Sequence, residues 1–317
     1  ERKLREPVSP DYPQLTAVLQ HLLDSGGKRL RPALALLTGS IYAADEAVAS
    51  DSLVSLAASV DMLHTATLVH DDLIDGALLR RGNATLNANW SPGATVLTGD
   101  YLFARSAALA AETGSVRVMT IFANTLMTIC SGELRQMFDR REVPHLDDEQ
   151  AWQAALDHYD RRIHAKTASL FAGSTEAAAV LGGAPETEVT ALRDYGRFLG
   201  MGFQIMDDVL DFQSDEGVLG KPVGSDLREG IVTLPVLYYL RSHPNDERVP
   251  AVVRNGRDGG LVQEVVEAIR KSGSVEKSRQ RAREFIFQSQ AALDPLPETE
   301  ARSKMHELAD YAVSRKK

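Results

Sequence analysis

Apolar residues recur at intervals of three and four along almost the whole chain, and this period is that of an amphipathic α-helix. Strict alternation of apolar and polar residues, the pattern of a half-buried strand, is not found. Short turn-forming stretches such as "DSGGK", "SPG" and "GGAPE" separate the periodic segments. The pattern predicts an all-α protein with helices at residues 13–24, 28–43, 46–75, 94–111, 115–138, 147–182, 187–213, 231–241, 260–271, 274–292 and 299–315.

These helical segments are predicted to form one bundle. No low-complexity linker interrupts the 317 residues, so we expect a single domain over residues 1–317. The central segments are rich in alanine, as in "SLAASVDMLHTATLVH", and they carry small residues on several faces. Helices of this kind suit positions surrounded by other helices, so the bundle should contain a buried central layer.

Charge and composition exclude several classes of function. A formal net charge of -9 argues against general nucleic-acid binding, because clustered lysines and arginines hold the phosphate backbone. No apolar run reaches the roughly 18 residues typical of a membrane span, so no transmembrane segment is expected. The single cysteine, Cys130, permits neither an intrachain disulfide nor a multi-cysteine zinc site, and it is expected to be buried. These features favour a cytoplasmic protein.

Two aspartate clusters of the same form each follow an apolar helical run. Their sequences are "HDDLID" and "MDDVLD", and their aspartates are Asp71, Asp72, Asp75, Asp207, Asp208 and Asp211. The first and last aspartates of a cluster lie one helical turn apart on one face. Negative charge is unfavourable at a helix C-terminus, and Mg²⁺, which binds carboxylate, water and phosphate oxygens, removes that conflict. The pattern predicts metal sites for Mg²⁺, or for Mn²⁺, which accepts the same ligands; the alternative is that both clusters are solvated acidic helix ends.

Basic residues near these clusters predict a ligand that carries phosphate groups. They occur in "GGKRLRP" at a helix start, where backbone N–H groups also favour phosphate, and in "RRG" and "GKPVGSD" after the two clusters. The residues are Lys28, Arg29, Arg31, Arg80, Arg81 and Lys221. Each alone is also typical of a solvated loop. Together with the aspartates they indicate a site for two diphosphates, one held through metals and one held directly.

Ordered motifs across nearly the whole chain resemble those of the trans-isoprenyl diphosphate synthases, also called polyprenyl synthetases. The motifs are "GGKRLRP", "HTATLVHDDLIDGALLRRGNATLNANW", "GDYLFARS", "AKTASLF", "FQIMDDVLDF" and "LGKPVGSDLREG". The resemblance implies an all-α fold around a central deep cavity, usually in a homodimer. It also implies a Mg²⁺-dependent enzyme that joins isopentenyl diphosphate head-to-tail to an allylic diphosphate.

The resemblance also implies a role for each matching residue. Isopentenyl diphosphate would contact Lys28, Arg31, His64 and Arg81. The allylic diphosphate and the carbocation formed from it would contact Arg80, Lys166, Thr167, Gln204 and Lys221, among which Lys166, Thr167 and Gln204 would be catalytic. The metals would bind Asp71, Asp75, Asp207 and Asp211. The middle aspartates, Asp72 and Asp208, would orient those ligands or bound water.

A few positions qualify this assignment. Many members of the family have a lysine where this chain has Ile231 after "EG", which puts one diphosphate contact in doubt. Asn87 and Trp90 resemble the long-chain members more than the short-chain ones. His70 stands beside Asp71, and we expect a packed or hydrogen-bonded helix residue there rather than a catalytic base.

The helix before Asp71 is expected to set the length of the product by forming one wall of its tunnel. Because a helical turn rises about 5.4 Å, close to one extended isoprene unit, the residues before Asp71 act as a ruler. Ala66 and Thr67 are small where family members that stop early often have an aromatic residue. The resemblance therefore implies a long all-trans product, about C30 to C50. The tunnel floor could be formed by residues that are equally compatible with ordinary core, namely Met62, Leu63, Met119 and Phe122.

Several alternatives stay open at this point. A geranylgeranyl (C20) or farnesyl diphosphate synthase would share the same motifs, whereas a terpene cyclase has no need for "GGKRLRP". A non-catalytic partner subunit of a heteromeric synthase would be expected to lose an aspartate cluster, and this chain keeps both. If the protein were a helical scaffold without catalytic activity, the aspartate clusters and the basic loops would be unrelated to one another. For the synthase, release of a long lipid product would involve transient contact with a membrane.

Overall fold

The computed structural model describes residues 1–5, 13–42, 50–80, 82–146, 148–213, 223–255 and 258–314. Nearly all of the regular structure in these residues is helical. The longer helices are α1 (Pro13–Asp24), α2 (Leu30–Ser40), α3 (Asp51–Ile74), α5 (Pro92–Ala111), α6 (Val116–Asp139), α7 (Glu149–Ile163), α8 (Ser169–Gly182), α9 (Glu186–Gln213), α11 (Leu234–Ser242), α12 (Arg248–Asn255), α13 (Gly259–Lys271), α14 (Ser274–Ala291) and α15 (Glu300–Ser314). The short elements are α4 (Leu86–Asn89), α10 (Ser225–Arg228), a π-helix (His164–Ala168), and the antiparallel pair β1 (Leu79–Arg80) and β2 (Asn83–Ala84).

The all-α prediction is confirmed, and most helix boundaries lie within a few residues of the predicted ones. The predicted helix at 147–182 is α7 and α8 joined by the π-helix. The short helices α4, α10 and α12 and the β1–β2 hairpin were not predicted. Helix α12 has only eight residues, too few for a clear period, and each strand of the β1–β2 hairpin has two.

The chain forms two compact units, each built from three separate segments. Unit 1 contains Glu1–Asn124, Gly173–Arg193 and Pro295–Met305. Unit 2 contains Thr125–Ala172, Asp194–Asp294 and His306–Lys317. A single domain over residues 1–317 stays a prediction.

Unit 1 is organised around α3, which packs against α2 and α5. Ser50 caps its N-terminus by accepting a hydrogen bond from the Leu53 N–H, and the Ser59 hydroxyl donates to the Ser106 carbonyl at 2.7 Å. Apolar and small residues are buried on several faces of α3, so the predicted central layer is confirmed for this helix. In the described part of the chain, α3 is also the one helix long and apolar enough to cross a membrane, although composition predicted none. Because 67% of its apolar window is buried, core packing accounts for that composition.

Unit 2 has its own apolar core, formed by α7, α9 and the helices that follow α10. Tyr159 of α7 and Phe212 of α9 are fully buried within it, together with Val265 of α13. The recurrence of valine and isoleucine at helical spacing in α13 explains this packing, since one face of that helix is apolar. The core holds the end of α9, where the second aspartate cluster lies.

Candidate active site

The first aspartate cluster ends α3, as predicted. Asp71 and Asp72 lie in its last turn and Asp75 is its C-cap, whose N–H donates to the Asp71 carbonyl at 2.9 Å. Asp71 is half-buried and Asp75 exposed, whereas Asp72 is buried. The first and last carboxylates are therefore the accessible pair, and the middle one points inward.

Asp72 binds Arg80, which the β1–β2 hairpin carries. Both Nε and Nη2 of Arg80 lie 2.8 Å from Asp72 Oδ1. The hairpin turns through Gly82 at φ 80°, a conformation that favours glycine, and Thr85 Oγ1 ties its far end to the Ala77 carbonyl at 2.7 Å. Asp72 therefore orients a predicted diphosphate contact through a charge-assisted hydrogen bond.

The basic residues of "GGKRLRP" divide into two kinds. Arg29 is the N-cap of α2 with φ 50°, and its Nη1 lies 2.5 Å from Oδ2 of the buried Asp61. Burial raises the pKa of Asp61, and the Arg29 guanidinium opposes that rise. Arg29 therefore links α2 to α3 through this ion pair. Lys28, which is exposed, and Arg31, in the first turn of α2, remain the candidates for binding diphosphate.

The predicted ruler residues lie on two faces of α3. Thr67 and His64 precede Asp71 by four and seven positions, so they share its face, and Thr67 Oγ1 donates to the His64 carbonyl at 2.8 Å. Ala66 and Met62 lie on the opposite face and are buried in the apolar cluster that contains leucines of α5. Ala66 has no exposed surface at all.

His70 is a packed residue, as expected. Its Nε2 lies 3.2 Å from the Val96 carbonyl oxygen, and its ring centroid is 5.1 Å from that of Phe103. A Cβ atom at Gly99 would lie 2.2 Å from the same nitrogen, so the glycine of "GDYLFARS" makes room for the imidazole between α3 and α5.

The second cluster lies in the last two turns of α9 and is connected to two predicted catalytic residues. Thr167 Oγ1 donates to Gln204 Oε1 at 2.6 Å, and Gln204 Nε2 donates to Asp208 Oδ1 at 3.0 Å. The other oxygen of Asp208 accepts from Tyr159 Oη at 2.7 Å. Burial, followed by the charge of Asp226, raises the pKa of Asp208 to about 7. Tyr159 was not predicted, because an aromatic residue at helical spacing is indistinguishable from ordinary core.

Asp211, the last aspartate of the cluster, is held by the start of α10. Its Oδ1 accepts from the Ser225 hydroxyl at 2.8 Å and from the Ser225 N–H at 3.1 Å, and its Oδ2 accepts from the Asp226 N–H at 3.3 Å. Burial and the charge of Asp226 raise its pKa to about 7. Asp207 is half-buried and hence more accessible than Asp208 or Asp211. Asp226 is an additional acidic neighbour that sequence reasoning missed, because its distance along the chain conceals it.

Lys166 lies in the π-helix and forms an ion pair with Glu133 of α6, with Nζ 2.9 Å from Oε1. A Cβ atom at Gly132 would lie 2.5 Å from the Cβ of Ala165, so the glycine lets α6 approach the π-helix closely. Single π-turns inside α-helices are frequent at functional sites. The turn carries Thr167 as well, so two predicted catalytic residues share one irregular segment.

The donor set of the clusters fits a hard divalent cation, since every predicted ligand is a carboxylate. No group of three or more His, Cys, Asp or Glu side chains is arranged to hold a metal within the described ranges. That finding is compatible with Mg²⁺, which usually binds one or two carboxylates and completes its octahedron with water and phosphate oxygens.

The remaining predicted positions differ in their surroundings. Arg81 and Lys221 lie outside the described residues. Ile231 is half-buried and its N–H donates to the Asp226 carbonyl at 2.9 Å. The prediction that Cys130 is buried is wrong, because Ile129 occupies the inward face of α6 at this level and leaves the thiol exposed.

Asn87 and Trp90 lie around α4 and are half-buried, with Trp90 packed against the apolar cluster of unit 1. The two candidate floor residues from α6, Met119 and Phe122, are half-buried and buried respectively. Leu63 of α3 is almost completely buried.

Comparison with known proteins gives consistent matches over the whole chain. Residues 12–269 match the family model described as polyprenyl synthetase. The chain is 39% identical to heptaprenyl diphosphate synthase component 2 of Geobacillus stearothermophilus, over 99% of this chain and 94% of the relative. It is 35% identical to octaprenyl diphosphate synthase of Escherichia coli strain K12, over 98% and 93%.

Solved structures agree with these matches. Heptaprenyl diphosphate synthase from Staphylococcus aureus superposes with a TM-score of 0.91 at 33% identity, covering 100% of this chain and 96% of that one. A polyprenyl synthase from Caulobacter crescentus, complexed with calcium and isoprenyl diphosphate, gives a TM-score of 0.89 at 36% identity, with coverage of 100% and 93%.

Proposed function

Because the chain belongs to the polyprenyl synthetase family and is a prenyltransferase, we propose that it joins isopentenyl diphosphate head-to-tail to an allylic diphosphate and makes a long all-trans polyprenyl diphosphate. The observation that carries this proposal is the retention of both aspartate clusters, each at the C-terminal end of an apolar helix. A bystander acidic surface would not be expected at that position twice, because the helix dipole opposes it.

The family uses a divalent metal, and we propose Mg²⁺ for this chain. Each cluster would hold metal through its own carboxylates, Asp71 and Asp75 in the first, and Asp207 with Asp211 in the second. When bound, the metal stabilises the negative charge that develops on the leaving diphosphate. The calcium and isoprenyl diphosphate in the Caulobacter crescentus relative support a metal-held diphosphate.

The protein's own groups would position the two substrates and stabilise charge. Arg80, oriented by Asp72, would contact the allylic diphosphate, and Lys28 and Arg31 would hold isopentenyl diphosphate. Thr167 donates its hydroxyl hydrogen to Gln204, so the oxygen lone pairs are left to face developing positive charge. A dry site would protect the carbocation from water. We assign the final proton to the departing diphosphate.

A long product is supported by relatives named for seven and eight prenyl units, and by small residues at Ala66 and Thr67. Geranylgeranyl pyrophosphate synthases share the fold at lower identity, 28% for the one from Lactobacillus brevis. The experiment is product analysis with purified protein, Mg²⁺, labelled isopentenyl diphosphate and farnesyl diphosphate, followed by dephosphorylation and chain-length separation. A ladder that ends at about C30 or beyond supports the proposal, and termination at C20 contradicts the long product.

We also propose that the protein is a homodimer. In the part of α6 that belongs to unit 2, Met127, Leu134 and Phe138 are 61%, 54% and 80% exposed and lie on one face with Cys130. A second copy can cover an apolar stripe of this kind about a two-fold axis, since such an interface uses the same patch on both subunits. Bismaleimide cross-linking at Cys130, the single cysteine, would yield a covalent dimer. The variant Leu134→Asp should be monomeric in sedimentation analysis.

One relative is named component 2, which raises the question of a different partner chain. Activity of the purified protein alone would answer that question in favour of the homodimer. No product with any allylic primer would favour a heteromeric enzyme. We propose a cytoplasmic location, where a reducing environment keeps the exposed thiol reduced, and transient membrane contact when the long product leaves.

A further inference from the structure

Unit 2 contains a cavity of about 410 Å³ that none of the predicted site residues lines. Its walls come from α6, α7, the π-helix, α9 and α14. On the π-helix, the residues that face it are His164 and Ala165. The next two residues, Lys166 and Thr167, contact Glu133 and Gln204 instead. The cavity is therefore separate from the contacts that organise the predicted catalytic residues.

The charges around this cavity are predominantly positive. Four arginines line it, namely Arg135, Arg161, Arg162 and Arg197. The two carboxylates that also line it already have cationic or protonatable partners: Asp139 lies 2.9 Å from His158 Nε2, and Asp160 lies 2.6 Å from Arg281 Nη2. These arginines lie together in one concave place although the formal net charge of the chain is -9.

The four arginines differ in the hydrogen bonds and ion pairs that they form. Arg162 Nη2 donates to the Val232 carbonyl at 2.7 Å, and Arg197 Nε lies 3.4 Å from Asp194. Arg135 and Arg161 are exposed, and neither forms an ion pair with a residue in the described part of the chain. These two guanidinium groups can reorient toward a ligand without breaking an existing ion pair.

Part of the lining is apolar. Met201 is buried and Phe285 is half-buried, with the Phe285 ring centroid 6.2 Å from that of Phe198. A pocket of this volume is within the usual range for a small-molecule site, and its combination of arginines with an apolar wall suits an amphiphilic anion. Guanidinium groups bind phosphate oxygens in bidentate fashion, which a lysine cannot do.

We propose that this cavity is a second, non-catalytic binding site for a diphosphate group, either as free diphosphate or as the head of a prenyl diphosphate. The choice of diphosphate among anions rests on the proposed function, since that reaction consumes prenyl diphosphates and releases diphosphate. Arg135 and Arg161 supply the main contacts, and Met201 and Phe285 receive hydrocarbon when a prenyl chain is attached.

The test is calorimetric titration of the full chain with inorganic diphosphate in the presence of a chelator. A background variant, Lys28→Gln/Arg31→Gln, weakens diphosphate binding at the proposed isopentenyl diphosphate contacts. Binding that persists in this background, and weakens at least tenfold on adding Arg135→Gln/Arg161→Gln, supports the site. The matched control adds Arg254→Gln/Arg283→Gln, two exposed arginines outside the cavity, and should leave the affinity unchanged.

Two results would overturn the site: absence of binding in the background variant, or an equal loss in the cavity and control variants. A titration with farnesyl thiodiphosphate, an analogue that does not release its diphosphate to form a carbocation, distinguishes a prenyl diphosphate from free diphosphate as the ligand. Tighter binding than inorganic diphosphate, reduced by Phe285→Leu, indicates a prenyl diphosphate, and equal binding indicates free diphosphate.

Failure of the proposed function is separable from failure of this site. The product assay on the unmodified chain tests the reaction, and the Arg135→Gln/Arg161→Gln variant should make the same product ladder. A chain that makes no product yet binds diphosphate in the cavity would contradict the reaction and leave the site intact.

Discussion

The phenol of Tyr159 donates a 2.7 Å hydrogen bond to Asp208, the middle aspartate of the second cluster. Gln204 Nε2 donates to the other carboxylate oxygen at 3.0 Å, so both oxygens of this buried aspartate are engaged. Asp208 therefore fixes which way the Gln204 amide points, and the amide oxygen in turn accepts from Thr167. A tyrosine in the core of unit 2 thereby influences the orientation of a predicted catalytic hydroxyl.

Tyr159→Phe should lower kcat about tenfold, since the loss of one donor to a buried carboxylate frees Asp208 and the Gln204 amide to reorient. The KM for isopentenyl diphosphate should change little, because Lys28 and Arg31 hold that substrate in our proposal. Steady-state kinetics with farnesyl diphosphate measure both constants. Tyr239→Phe is the matched control, because Tyr239 is also buried and donates to an aspartate, Asp246, at 2.6 Å. Equal losses of kcat in the two variants would mean that Tyr159 has only a structural role.

Asp72→Asn should raise the KM for the allylic diphosphate about tenfold or more. The carboxylate holds Arg80 through two contacts of 2.8 Å, and an uncharged amide cannot form an ion pair with the guanidinium group. Arg117→Gln removes an exposed pair with Glu186 at 2.7 Å and should leave the KM unchanged. An unaltered KM in Asp72→Asn would mean that Arg80 does not contact this substrate.

Chelation of divalent metal should abolish turnover, and Mg²⁺ or Mn²⁺ should restore it, because the accessible ligands are all carboxylates. Asp71→Asn and Asp207→Asn should each lower kcat at least a hundredfold. Thermal unfolding supplies an independent readout: a diphosphate present at a hundred times its Kd stabilises the folded state by about 2.7 kcal/mol. Adding metal should increase that stabilisation in the unmodified chain, and the increase should be smaller in both variants.

Gly132→Ala should destabilise the fold by about 1–3 kcal/mol, because the added Cβ would lie 2.5 Å from Ala165 and force α6 away from the π-helix. Turnover should also fall, since the π-helix carries Lys166 and Thr167. Gly93→Ala is the control, because nothing lies within 4 Å of a Cβ there. Denaturant unfolding and kinetics measured on the same two variants would reveal whether stability and activity change together.

Features whose sequence signal lies within a few helical turns could be predicted, whereas contacts between distant parts of the chain could not. The period of α3 and the spacing of Asp71 and Asp75 are contained within a few helical turns, so the amino-acid sequence alone predicts both. The hydrogen bond from Tyr159 to Asp208 joins residues of two helices. The effect of Asp226 on the pKa of Asp211 depends on the position of α10 beside the end of α9. Neither relationship has a sequence signature that distinguishes it from core packing or a solvated loop.

The same limit explains the elements that were missed or misjudged. The π-helix extends an apolar period without interrupting it, so 147–182 reads as one α-helix. Each strand of the hairpin that carries Arg80 is two residues long, too short to show alternation. Cys130 reads as buried because its neighbours are apolar, although part of that apolar surface of α6 is exposed and, in our proposal, covered by a second copy.

The two small residues of the ruler should respond differently to an aromatic substitution. Thr67 shares the face of Asp71, so Thr67→Phe should place a ring on the wall that an elongating chain follows and shorten the product ladder. Ala66 has no exposed surface and packs in the cluster that includes α5, so Ala66→Phe should cost about 1–3 kcal/mol of stability as well as shortening the product. Product ladders and unfolding curves for both variants separate the two effects. If neither ladder changes, product length is set outside this turn of α3, and if only Ala66→Phe changes it, the product runs along the opposite face of the helix.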